Sequence, residues 1–308
     1  MTDTKTKSPY LTGGALPVYK EAGMTSHDVV GRIRRLFSTR AVGHTGTLDP
    51  MAEGVLAVLI GKCTKCERFL VSDSKEYVAT LRLGITTDTQ DSTGEVLSRA
   101  DFLPSEEEVK EAALSFLGES EQIPPMYSAI KIDGKKLYEY AREGKEIERA
   151  ARPIRIDSIS CETVADSDCD YTLTASVSSG TYIRTLCADI GDRIGCGGVM
   201  ASLLRTRTGR FSLPDCKKLS EIEALSPEER WASLVPPEKL LSGERIVLPP
   251  FFERLYLSGC EIYQKKIGTN LPIGSGVLVY TSDGALLSFG RVKEFPNGSA
   301  LKNEIFFH

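Results

Sequence analysis

Gly43-His44-Thr45-Gly46-Thr47-Leu48-Asp49-Pro50 is the stretch on which the reading of this chain turns, and the apolar run Val55-Leu56-Ala57-Val58-Leu59-Ile60 follows it closely. The two glycines permit backbone angles and close approaches that other residues resist. Pro50 fixes its own φ and biases Asp49 towards an extended conformation. The apolar run has the length and β-branching of a buried strand. Asp49 is therefore expected on a tight loop anchored to the core, which holds a carboxylate as rigidly as a catalytic group requires. An Asp-Pro pair is also a common turn starter, so the pattern alone leaves a plain loop open.

Outward from that loop, the chain alternates capped helices with hairpin-like strands and lacks regular βαβ spacing. Thr25 with Asp28 reads as an N-cap pair opening a helix to about Thr39, with Val29, Val30, Ile33 and Phe37 as its buried stripe. Residues 62–72 read as a helix, with Cys66, Phe69 and Leu70 on its apolar face. In Lys75–Leu83, Tyr77, Ala79, Leu81 and Leu83 share one strand face. The acidic loop at 86–94 reads as a turn-rich scaffold. Ser105 with Glu108 caps a helix whose core face is Val109, Ala112, Ala113, Phe116 and Leu117. Residues 124–152 interleave basic side chains with tyrosines, a pattern suited to phosphate contact and base stacking. Residues 153–164 and 170–178 read as paired strands. Ile183, Leu186, Cys187, Ile190 and Ile194 then form a helical stripe, with Arg184 in the first turn beside an apolar face, where it needs an anionic partner. From about Ile246, short strands punctuated by Gly and Pro suggest a small β-barrel.

Residues 43–65, GHTGTLDPMAEGVLAVLIGKCTK, resemble the catalytic segment of the TruB family of pseudouridine synthases. Lys20 with Gly23 and Thr25-Ser26, the KEYVATLRLG run from Lys75, GTYIRT from Gly180 and Leu203–Phe211 resemble further family motifs in the family's order. The likeness runs from about Pro17 to Phe211, and Glu21 replaces the proline of the first motif. The resemblance implies an α+β fold. A pseudouridine-synthase-like catalytic domain on a mixed, largely antiparallel sheet would span residues 1–245, and a PUA-like β-barrel residues 246–308. It implies Asp49 as the catalytic residue, Arg184 as its partner keeping it ionised, and Tyr77 stacking on the target base. His44, where the base leaves the RNA, Leu203 in the base pocket, Tyr182 and Lys20 make up the expected substrate-binding set, with Lys20 supporting the loop. The insertion at about 124–152 closes over the RNA in the family. Lys131, Lys135, Lys136, Arg142, Arg149 and Arg152, with Arg205 beyond it, are the expected RNA-binding cations. The implied reaction is conversion of uridine to pseudouridine at position 55 of the tRNA T loop, by base flipping, with no cofactor and no metal. A related branch, dyskerin, uses guide RNA and protein partners; the bacterial-type insertion here favours a stand-alone monomer acting on the T stem-loop.

Composition fits that partner only locally. The net charge is −4, yet residues 131–155 hold eight Lys/Arg against five Asp/Glu, and residues 203–218 hold five against one. Segregated charge is what meets phosphate, although solvated faces give the same count. Cys63 and Cys66 lack a second pair to complete a zinc set and read as structural. No run suits a bilayer span, the first ten residues are polar and expected to be mobile, and a cytoplasmic protein is expected. Asp49 can attack sugar or base or act as a general base, and the residues do not choose among these. Two other readings stay open: an RNA-folding chaperone, and a hydrolase, for which no clear second carboxylate stands out.

Overall fold

The computed structural model describes residues 13–70 and 74–307. The apolar run becomes the Glu53–Gly61 strand, buried on both faces. Val55, Ala57 and Leu59 enter one core cluster and Leu56, Val58 and Ile60 another, which is why the run shows no polar alternation. This strand lies antiparallel to Gly13–Lys20 and, where it begins, parallel to Gly198–Thr208. At that junction Gly54 has φ +104°, and a Cβ there would sit 2.2 Å from the Arg205 carbonyl oxygen. From Gly198–Thr208 the sheet continues through Lys75–Leu83, Asp170–Val177, Arg152–Thr163 and Gly118–Gln122, each antiparallel to its predecessor. The result is a ten-stranded, mixed, largely antiparallel sheet, as expected.

Helices Glu106–Leu114 and Ile183–Ile194 pack on this sheet around Tyr77, Leu81, Leu173 and Leu186. The Ser26–Leu36 helix covers Leu16, Leu56 and Val58, with the Thr25–Asp28 capping box at its start. It ends before Thr39 because Ser38 adopts a left-handed φ of 49°. Leu117, expected on the core face of the next helix, lies beyond that helix's end and is 53% exposed. The predicted 62–72 helix is a 3-10 turn, Lys62–Cys66, followed by the short helix Glu67–Leu70; its last residues, like the N-terminal segment expected to be mobile, lie outside the described residues.

A second sheet of five strands curls into a half-barrel in the order Glu244–Val247, Gly276–Tyr280, Leu286–Phe295, Gly298–Phe306, Ile262–Tyr263. Leu278, Tyr280, Phe289 and Phe307 share a core cluster with Val55, Ala57, Leu59, Cys63 and Cys66. The CxxC pair is thus fully buried packing between the two sheets. The 124–152 segment forms a small hairpin, Lys131–Ile132 with Lys135–Lys136, then the helix Leu137–Arg142, pinned by the buried Leu137.

Candidate active site

The Asp49 loop is gripped by side chains from three distant segments. Ser26, first residue of its helix, accepts a hydrogen bond from the Leu48 N–H (2.9 Å) and donates to the Leu48 carbonyl (3.1 Å). Lys20, at the end of the first strand, is 0% exposed, and its Nζ donates to the carbonyls of Ala52 (2.6 Å), Pro50 (3.2 Å) and Glu21 (3.2 Å). Arg205 is 1% exposed and donates to the carbonyls of Val55 (2.7 Å), Gly46 (3.1 Å) and Thr47 (3.5 Å). Burying a cation costs several kcal/mol, and hydrogen bonds to a charged group return about 1.5–3 kcal/mol each. Three carbonyls therefore suffice to hold each cation in place. Burial also pushes the Lys20 ammonium down to about 8, against the opposing pull of Asp49 and Glu53.

Two expectations are corrected by this arrangement. Arg205 does not face RNA: it lies two residues from Leu203 on one strand and shares that residue's inward face. Lys20, expected in the substrate-binding set, is sealed beneath the loop, with its ammonium bound to the Ala52, Pro50 and Glu21 carbonyls.

Above the loop, Arg184 Nε donates to Asp49 Oδ2 at 2.9 Å, and Nη2 reaches Oδ1 at 3.5 Å. The Arg184 side chain is 5% exposed while that of Asp49 is 35% exposed. The guanidinium thus fixes the carboxylate from behind and leaves its front open. Arg184 also donates to the carbonyls of Thr89 (3.0 Å) and Tyr127 (2.8 Å), and its Nη1 lies 3.6 Å from Asp91 Oδ2. Asp91 is a site residue that the sequence reading missed. It is buried, and its other oxygen accepts from the Thr93 N–H and the Thr89 hydroxyl. No local signal distinguishes it from the other acids of its loop; only proximity to Arg184 does. Burial lifts the Asp49 carboxyl above the usual carboxylate range; Arg184 pulls it down, Asp91 pushes it up and Lys20 pulls it down again. Arg184 thus contacts both carboxylate oxygens, but burial, the largest effect, together with Asp91 leaves the group above its ordinary range.

Tyr77 and Leu203 are buried in one cluster with Leu48 and Ala52, which flank Asp49 in sequence. Leu203 is paired in register with Ala79, and Tyr77 with Arg205. His44 is half-buried, its Nδ1 accepting from the Gly46 N–H at 3.3 Å and its ring edge-on to His27 at 6.2 Å. Burial, with His27 and Arg205, pushes it down to about 4. Tyr182 caps the Arg184 helix, and the Gln122 side chain clasps its backbone on both sides.

The insertion's cations divide by environment. Lys131, Arg142 and Arg152 are exposed. Lys135 pairs with Glu143 and lies over the Tyr140 ring at 4.6 Å. Lys136 and Arg142 lie at 5.3 and 5.2 Å from the Tyr138 ring centre. Arg149 is tied to Glu146 (3.2 Å) and the Pro124 carbonyl (3.3 Å). In the 203–218 segment, Arg207 is bound to Glu76 at 2.7 Å, leaving Arg210, Lys217 and Lys218 facing outwards.

The same chain path occurs in the solved structure of a Cbf5–Nop10–Gar1 complex (TM-score 0.69, 24% identity, covering 96% of this chain and 85% of that one). An archaeal box H/ACA sRNP Nop10–Cbf5 complex gives a TM-score of 0.66 at 23% identity, covering 97% and 87%. At such identities the likeness speaks for the fold. A family model described as TruB family pseudouridylate synthase (N terminal domain) matches residues 34–183, and one for the tRNA pseudouridylate synthase B C-terminal domain matches residues 184–242. The class is therefore that of the pseudouridine synthases, enzymes that isomerise uridine within RNA. Proteins called tRNA pseudouridine synthase B are 44% identical over 294 residues in Alkaliphilus oremlandii (94% of each chain) and 42% identical over 278 in Clostridium novyi (90% of this chain, 94% of that one). This chain belongs to the TruB family.

Proposed function

We propose that the enzyme converts uridine to pseudouridine at position 55 in the T loop of tRNA, acting alone on the T stem-loop. The single observation that carries this reading is the Asp49 carboxylate, gripped from behind by a buried arginine and open in front. The reaction breaks the N1–C1′ bond, turns the uracil within the site and joins C5 to C1′; the C5 proton leaves and N1 ends protonated. Nothing is oxidised or transferred away. Asp49 serves in its ionised form, attacking sugar or base or removing a proton, while Arg184 keeps it aimed. Tyr77 and Leu203 confine the detached ring, which must not escape between the two bond events. The base reaches this site by leaving the RNA stack, with His44 at the point of departure.

Lys131, Lys136, Arg142, Arg152 and the outward-facing Arg210 supply phosphate contacts, and Lys135 and Arg149 are held ready beside their carboxylate partners. The half-barrel, which begins with the Glu244–Val247 strand, serves as the RNA-contacting C-terminal domain and packs against the catalytic domain through the shared core. The names of the relatives, the resemblance of the motifs and the accessible face of Asp49 all support this assignment, and a cytoplasmic location follows from the substrate.

Incubating an unmodified tRNA transcript with the protein and analysing its nucleosides tests the proposal. Pseudouridine at position 55 is expected, equally from an isolated T stem-loop and without added RNA or protein. Release of free uracil would favour the hydrolase reading. Unchanged tRNA that refolds faster would favour the chaperone.

A further inference from the structure

We infer that Arg205 is a positioning residue that holds His44 as a neutral imidazole carrying its proton on Nε2, so that the ring meets the displaced nucleotide as an uncharged hydrogen-bond donor. This rests on the reading above that His44 faces the target nucleotide. The chain of contacts is short. Arg205 donates to the carbonyls of Gly46 and Thr47 at 3.1 and 3.5 Å, and the Gly46 N–H donates to His44 Nδ1 at 3.3 Å. A nitrogen that accepts a hydrogen bond carries no proton, so the neutral ring has its hydrogen on the other.

Gly46 supplies no rigidity of its own. Its φ is +148°, one of many conformations open to a glycine, so the direction of its N–H depends on how the peptides on either side are held. The Thr45 N–H, bound to the Ala57 carbonyl at 3.1 Å, holds the side before it, and Arg205, bound to the Gly46 and Thr47 carbonyls, holds the side after it. The guanidinium is buried and also bound to the Val55 carbonyl at 2.7 Å, which ties it to the central strand. A Cβ on Gly46 would lie 3.3 Å from Lys75 Cε and 3.6 Å from Arg205 Nη1, so the glycine lies close against both side chains. Charge works in the same direction. The groups acting on His44 are His27, from the Ser26–Leu36 helix, and Arg205, from the Gly198–Thr208 strand, and both disfavour a second ring proton, as does burial. An uncharged ring can enter a gap between stacked bases without the desolvation cost of an imidazolium, while its outward N–H finds a base or phosphate oxygen.

The test uses the intact protein labelled with ¹⁵N at its three histidines, His27, His44 and His308, and read by long-range ¹H–¹⁵N correlation from pH 5 to 8. Loss of a signal in His44→Phe assigns the ring. In the native protein, His44 is expected in the Nε2–H form and without titration above pH 5. In Arg205→Lys the two tautomers should mix and the midpoint should move towards the ordinary value near 6.5. An Nδ1–H tautomer, or a native His44 protonated at pH 6, would overturn the inference even if the variant fails to fold. The kinetic arm is a cycle. Arg205→Lys should lower kcat/KM about tenfold in the native background and no more than about threefold in His44→Phe, because residues acting through one another are not additive. Equal losses in both backgrounds would overturn it as well. If tRNA were not the substrate, the kinetic arm would show no turnover in any variant while the resonance result stood, which separates the two failures.

Discussion

The Asp49 loop and the 124–152 insertion both lie among cations, yet they use those cations in opposite ways. Around the loop, Lys20 and Arg205 are sealed from water and each grips three carbonyls. In the insertion, Lys131, Arg142 and Arg152 stay exposed, and Lys135 rests on Tyr140 and Glu143. A buried cation must have all its donors satisfied, so it organises backbone. An exposed one keeps its hydration and can exchange it for phosphate. The two regions meet at Arg184, which holds Asp49 with one edge and the Tyr127 carbonyl of the insertion with another. On the proposed reading, a movement of the insertion over RNA reaches the Asp49 carboxylate through one side chain.

The comparison breaks most readily at Asp49. Asp49→Asn keeps the shape and removes the charge, and is expected to abolish pseudouridine formation while tRNA binding stays within about tenfold. A variant that still turns over would remove the catalytic role from the loop. Arg184→Lys comes next. A point ammonium cannot reproduce the two-pronged grip on Asp49 or satisfy Thr89 and Tyr127 at once. If the aim of the carboxylate is lost, single-turnover rates should fall by on the order of a hundredfold, about 2.7 kcal/mol of barrier.

pH separates the loop's anchor from its catalyst. Activity should fall in acid as Asp49 takes up a proton, at a pH above the usual carboxylate range because burial raises that group. It should fall again near pH 8 as Lys20 loses the proton that secures the Ala52 and Pro50 carbonyls. Stability should move the other way there. The unfolded chain keeps the lysine protonated up to about 10.5 and the folded one only to about 8, so between them the unfolded state binds more protons and Lys20 makes the fold more stable as pH rises. Lys20→Met should erase both trends; a pH–rate profile beside denaturant curves at pH 7, 8.5 and 10 shows it.

Smaller effects belong to the insertion. Replacing Lys131, Arg142 and Arg152 with alanine should weaken tRNA binding about tenfold at low salt, less at high salt, and flatten the log–log salt slope by roughly 0.7–0.9 for each phosphate no longer neutralised. The rate at saturating tRNA should not change. Hydrogen exchange gives the smallest signal. Amides of 124–152 should gain protection with tRNA, whereas those of Glu53–Gly61 should be protected in both states. Equal protection of the insertion with and without tRNA would show that it does not order on RNA.

Much of this was legible along the chain because the signals are local. The unbroken apolar run predicts a strand covered on both faces, and Val55–Ile60 is covered on both. Thr25 and Asp28, and Ser105 and Glu108, start their helices because a capping box involves only four consecutive residues. Arg184 at the edge of an apolar helix face needed an anion, and the motif resemblance identified Asp49 as that anion. Arg205 shows where such reading strays. Counted with its neighbours it is one more positive charge; spaced two residues from Leu203 on a strand, it had to point inwards with it.

By itself the sequence determined the Asp49 loop, the capped helices, the alternating strands and the family to which the motifs belong, because propensity, periodicity and capping act over a few residues. Tertiary structure alone decided which charges became scaffold and which stayed available to RNA. It brought Asp91 to Arg184 across more than ninety residues of chain, set Lys20, Ser26 and Arg205 around one loop, and packed Cys63 and Cys66 between two sheets. The fate of a charge depends on what surrounds it in three dimensions: whether water remains, and whether carbonyls or carboxylates replace it.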